Sequence, residues 1–76
     1  MDLAEKLYRI SQPKLSQAAI RAGLNPLTLA SKAKVEFKDA AFWLSRGGTA
    51  DAPTVERLAA AVGVSPLDIL TFDETF

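Results

Sequence analysis

Punctuation limits this chain more than any other feature of its sequence. Its four prolines and four glycines fall between apolar, helix-patterned stretches, so no regular element can run far. Ser11 and Gln12 precede Pro13, Asn25 precedes Pro26, and Ser65 precedes Pro66. A proline in the first helical turn loses nothing, because the N–H it lacks would have no partner there. The Ser or Asn ahead of it offers a side-chain oxygen to the N–H groups that follow. Gly23, Gly47-Gly48 and Gly63 stand where helices end, and glycine readily takes the left-handed conformation of a C-cap. The pattern predicts short helices joined by tight corners.

Apolar spacing fills in the elements. Leu3, Leu7 and Ile10 recur at i, i+4 and i+7 and predict a first helix from Asp2 to Ile10. A second should run from the Ser11–Pro13 cap to Gly23, with Leu15, Ala19 and Ile20 inward. A third spans Pro26–Ala33 with Leu29, Ala30 and Ala33 inward, and Val35 sits in the break after it. A fourth spans Phe37–Arg46, anchored by Ala40 and by Trp43 or Leu44. A fifth near Pro53–Val62 turns Leu58, Ala59 and Val62 inward, and Ser65-Pro66 starts a short sixth. No window shows sustained period-two alternation. The expected fold is all-α, a compact bundle of five to six short helices. It forms one domain over residues 1–76, with an additional N-terminal helix over about residues 2–10.

The chemical inventory is narrow. With no cysteine and no histidine, the sequence offers no disulfide, no thiolate or imidazole catalysis and no zinc site of the usual kind. Neither an EF-hand spacing nor a phosphate-cradling glycine loop is present. The expectation is a protein that is not an enzyme and needs no cofactor or metal. No apolar run approaches the ~20 residues of a bilayer span. Met1–Ile10 carries Asp2, Glu5, Lys6 and Arg9 and lacks the apolar centre of a signal peptide. A soluble, cytoplasmic protein is therefore expected.

Net charge is zero, but it is unevenly divided. Residues 1–46 hold eight bases and four acids; residues 47–76 hold Arg57 alone against five acids. The halves carry +4 and −4, a split that points to a polyanion partner on one side.

The stretch from Leu29 to Gly48 reads as helix, break, helix, Gly-Gly, the layout of a DNA-reading helix-turn-helix. From about Leu15 to Leu70 the sequence resembles the phage-repressor (Cro-like, XRE-like) helix-turn-helix family. The likeness lies in "GLNPLTLASKAKV" and in "PTVERLAAAVGVSPLDIL", where Leu58, Ala59, Val62, Gly63, Val64, Ser65 and Leu70 fall on the family's closing pattern. The resemblance implies a lambda-repressor-like bundle, often dimeric, that binds double-stranded operator DNA and controls transcription. It makes Pro26–Ala33 the scaffold helix and Phe37–Arg46 the recognition helix. Glu36, Phe37, Lys38, Ala41 and Phe42 fall at base-reading positions, and Asn25, Lys32, Lys34, Ser45 and Arg46 at phosphate positions. The sequence departs from the family at Lys34, where the turn glycine is expected, at Pro26, and in its first helix.

Several of these side chains admit two readings. Phe37 and Phe42 can pack on a thymine methyl or wedge between base steps. They can equally tuck against neighbouring helices, or form the surface that grips a protein. Glu36 and Asp39 can accept from a cytosine amine or simply complement the helix dipole. The implied partners are double-stranded DNA and a second copy, joined through the acidic C-terminal segment with Leu67, Leu70, Phe72 and Phe76. The alternative is an interaction module (an anti-repressor, inhibitor or adaptor) that uses the Phe37/Phe42 face.

Overall fold

The computed structural model describes residues 7–71. The order is β1 (Leu7–Ile10), α1 (Gln12–Arg21), α2 (Pro26–Ala33), α3 (Phe37–Arg46), β2 (Gly48–Asp51) and α4 (Ala52–Val62), then a 3-10 turn at Pro66–Ile69. The expectation of an all-α bundle of five to six helices is overturned. Among the described residues there are four α-helices and an antiparallel two-stranded sheet.

The first expected helix is where the two readings part. Leu7–Ile10 is a strand paired with Gly48–Asp51, in the register Leu7↔Asp51, Tyr8↔Ala50, Arg9↔Thr49 and Ile10↔Gly48. Burial along it alternates, with Leu7 and Arg9 exposed, Tyr8 half-buried and Ile10 buried. The i, i+4, i+7 stripe that suggested a helix used Leu3, which lies outside the described residues. A tyrosine and a β-branched isoleucine suit a pleated, half-buried surface. What decides the matter is a backbone partner forty residues away, supplied when Gly47 and Gly48 turn the chain back at φ 76° and 143°. On the other edge of β1, Ser11 N–H donates to the Ile69 carbonyl at 2.8 Å. Thr71 N–H likewise donates to that of Arg9 at 2.9 Å. β1 is thus held from both sides.

The helices follow the punctuation. Ser11 accepts from Lys14 N–H at the start of α1, Asn25 from Thr28 N–H at α2, and Asp51 from Thr54 N–H at α4. Each has proline in its first turn, and Gly63 closes α4 at φ 77°. The sixth helix begins at Ser65-Pro66 as expected but is a single 3-10 turn. Leu15, Leu29, Leu58 and Ile69 are fully buried at the centre. Ala18, Ala19, Ala30, Ala33, Ala40 and Ala59 let the helices approach closely around them. Truncating one of these leucines costs about 3 kcal/mol, a large share of the stability a domain this small commands. Ile20, expected inward, is 71% exposed, because α1 turns Ala18 and Ala19 to the core instead. Leu70, counted with the C-terminal dimer surface, is buried and bridges to Ile10, whereas Leu67 is exposed. Phe72 and Phe76 lie outside the described residues. No helix among the described residues is long and apolar enough to cross a membrane.

Candidate nucleic-acid interface

The α2–α3 corner is built by local chemistry. Asn25 and Thr28 form a reciprocal capping box at the head of α2, with Thr28 N–H reaching Asn25 Oδ1 at 2.8 Å and Asn25 N–H reaching Thr28 Oγ1 at 2.8 Å. At its tail, Lys34 adopts the left-handed conformation, φ 61° and ψ 46°, and its N–H returns to the Ala30 carbonyl. Val35 N–H joins it there at 3.0 Å. A side chain in that conformation costs roughly 1 kcal/mol relative to glycine, and the sequence bears that cost with a cation. Val35 packs half-buried against the core, Glu36 is extended, and α3 starts at Phe37.

α3 is firmly seated on one side and open on the other. Ala40 and Trp43 are buried and Leu44 packs against the core. Gln12 Nε2 donates to the Leu44 carbonyl at 2.9 Å, satisfying one of the acceptors that a helix end leaves free. At 100° per residue, the outward side divides into two ridges of i, i+4 neighbours. One is Phe37, Ala41 and Ser45, and the other Lys38, Phe42 and Arg46. Phe37 and Phe42 remain 54% and 50% exposed. Neither is tucked away as a core residue, although the Phe42 ring edge overhangs Gly48.

The ten residues singled out from the sequence group unevenly. Phe37, Lys38, Ala41, Phe42, Ser45 and Arg46 share the outer side of α3, with Ala41 half-buried and the others exposed. Glu36 stands at the head of the helix, caps it with no side-chain hydrogen bond, and lies 3.9 Å from Lys38 in a fully hydrated pair. Such a pair contributes little to stability. Lys34 flanks the helix from the turn, and Lys32 is in the last turn of α2. Asn25 is exposed, but its side-chain oxygen is committed to Thr28. Ser45 donates its hydroxyl to the Ala41 carbonyl at 2.8 Å.

Arg57, which the sequence placed in the acidic half, belongs to this region. An open cleft of about 470 Å³ beside the α2–α3 corner is lined by Lys34, Val35, Glu36, Lys38, Asp39, Trp43, Thr54 and Arg57. Arg57 Nε donates to the Ala33 carbonyl at 3.1 Å, tying α4 to the last residue of α2. A second guanidinium nitrogen lies 3.4 Å from Thr54 Oγ1. Hydrogen bonds from the side chain and backbone of Thr54 hold the Asp51 carboxyl below its ordinary value of 3.8, with the Arg57 charge adding to them. Only the isolated arginine in an acidic stretch hinted at this in the sequence. Compared with protein-family models, with curated proteins and with solved structures, the chain matches none of them.

Proposed function

We propose that the protein is a sequence-specific double-stranded DNA-binding regulator of transcription, a repressor of phage or bacterial type, with α3 as its recognition helix. The observation that carries this reading is the outer side of α3, a ten-residue helix seated from beneath and offering Lys38 and Arg46 around an otherwise uncommitted surface. A helix with its side chains is ~10–12 Å across, and the major groove is about 12 Å wide. Charge supports the fit. Residues 7–46 carry seven bases against two acids, and residues 47–71 carry one base against three. In this reading Lys38 donates to guanine O6 and N7, Glu36 accepts from a cytosine amine, and Phe37 or Phe42 packs on a thymine methyl. Lys32, Lys34 and Arg46 meet phosphates. The motif resemblance adds to this through the helices alone, since a five-helix bundle has no place for the β1–β2 ribbon. A homodimer would present two such helices to half-sites one helical turn apart.

The test is selection from a randomised duplex pool, followed by fluorescence anisotropy on the enriched sequence across a salt series. Log affinity should fall linearly with log salt. Lys38→Ala should weaken binding and relax preference at one base pair. An enriched duplex that Lys38→Ala and Arg46→Ala bind as tightly as the wild type would remove α3 from the interface.

The half-exposed Phe37 and Phe42 favour a second reading, in which the same face grips a protein. Retention of no duplex at low salt would move the face to that class.

A further inference from the structure

Resting on the DNA-binding reading, we propose that Arg57 of α4 is a phosphate-binding residue of the same interface, seated beside α3 with Lys34 and Lys38. Three cations from three separate segments, the turn, α3 and α4, line one open cleft. The two acids that share it are not equal opponents. Glu36 is already paired with Lys38 across 3.9 Å, and both side chains are largely in solvent. Asp39 lies in the first turn of α3 and is half-buried.

The arrangement suits a phosphate for three reasons. First, Arg57 forms no close ion pair among the described residues, although the Asp51 carboxylate is near enough to feel its charge. Its Nε is fixed by the Ala33 carbonyl and one terminal nitrogen by Thr54 Oγ1. The guanidinium carries five N–H donors, so donors remain for an oxyanion while the side chain is already ordered. Second, the carbonyl that fixes it belongs to the residue just before Lys34, so Arg57 is tied directly to the left-handed corner. Third, the cleft lies on the flank of α3 and meets its outward ridges only at Lys38. A backbone phosphate could sit there against Lys34 and Arg57, while Lys38 at the rim of the cleft reaches a base edge beside Phe42. Contacts of this kind set register on the duplex and carry no sequence preference.

The experiment compares wild type, Arg57→Gln and Arg57→Lys on the enriched duplex, reading the slope of log Kd against log salt together with thermal melting. Loss of one phosphate contact should flatten the slope by about 0.9, so between 50 and 200 mM salt the Arg57→Gln protein loses roughly 3.5-fold less affinity than the wild type does. Arg57→Lys should restore the wild-type slope, although it cannot reproduce the planar Nε bond to Ala33 and should melt like Arg57→Gln. That split between slope and melting is what a purely structural arginine would not give. Should Arg57→Gln fail to fold, the Arg57 Nε–H resonance of the wild type is followed instead, and it should shift on adding duplex. A wild type that binds duplex with a slope unmoved in Arg57→Gln, or with a stationary Nε–H resonance, overturns the role of Arg57 and leaves the DNA reading standing. A wild type that binds no duplex overturns both. Displacement of the Nε–H resonance by inorganic phosphate at matched ionic strength, with no response to duplex, would assign the cleft to a free anion and overturn the proposal.

Discussion

The two ends of α3 are made in opposite ways. At its entry, the chain turns through Lys34 in the left-handed conformation with its side chain in solvent, and Glu36 caps the helix loosely. At its exit, Gly47 and Gly48 are pressed against the rest of the molecule. A Cβ on Gly47 would stand 2.7 Å from the Ile10 carbonyl oxygen and 3.3 Å from Gln12 N. On Gly48 it would stand 3.1 Å from Phe42 Cε2 and 3.2 Å from Trp43 Cδ1. Both ends need a positive φ. Only the exit also needs the absence of a side chain. The entry is free to spend its position on charge, and the exit is given over to closing the sheet.

The sharpest way to break that contrast is Gly47→Ala. Strain at positive φ combined with a backbone clash should cost about 3 kcal/mol in chemical denaturation; a loss below about 1 kcal/mol would mean the exit is as open as the entry. Gly63→Ala is the control, because Gly63 has φ 77° but nothing within 4 Å of the added carbon. Its cost should be only about 1 kcal/mol. Lys34→Gly should act with the opposite sign, adding about 0.5–1 kcal/mol of stability while weakening any DNA complex. Destabilisation by this change would show that the Lys34 side chain holds the corner. Phe37→Ser should change the unfolding free energy from chemical denaturation by less than about 0.5 kcal/mol, as expected for a surface position.

The smallest effect concerns Asp51. Its folded pKa is depressed, so its contribution to stability is fully present above its ordinary value and is lost as pH falls through the folded one. Asp51→Asn should therefore melt slightly below wild type at neutral pH, and the gap should close in strong acid. A gap that persists there would assign it to the loss of a cap rather than to charge.

Legibility in the sequence followed the range of the interaction. α2 and α3 could be read to the residue, because Asn25-Pro26, the alanines and Gly47 are local signals that tertiary packing reinforces. α1 and α4 were legible for the same reason, apart from which side Ile20 faces. β1 was not, because "LYRI" holds two apolar residues at helical spacing and its pairing partner is remote. Nor was β2, since Gly-Thr-Ala-Asp has neither the length nor the run of branched side chains that announces a strand. At the candidate interface, the residues on the outer ridges of α3 were pointed to by the motif resemblance. Asn25, expected at a phosphate, is exposed with its side-chain oxygen bonded to Thr28. Arg57 was signalled only by its isolation in an acidic stretch, because its place beside Lys34 depends on how α4 crosses α2.

The ribbon has a consequence for how the molecule is assembled. Ile10 and Gly48 are neighbours in space, yet everything from α1 to α3 must be threaded between them before their amides can meet. Such a closure is paid in chain entropy long before it returns any contact. The pairing of β1 should therefore be the last structure gained and, along the reverse path, the first to open. Deuterium uptake along β1 would then run ahead of global unfolding, while amides at the centres of the helices exchange only with it.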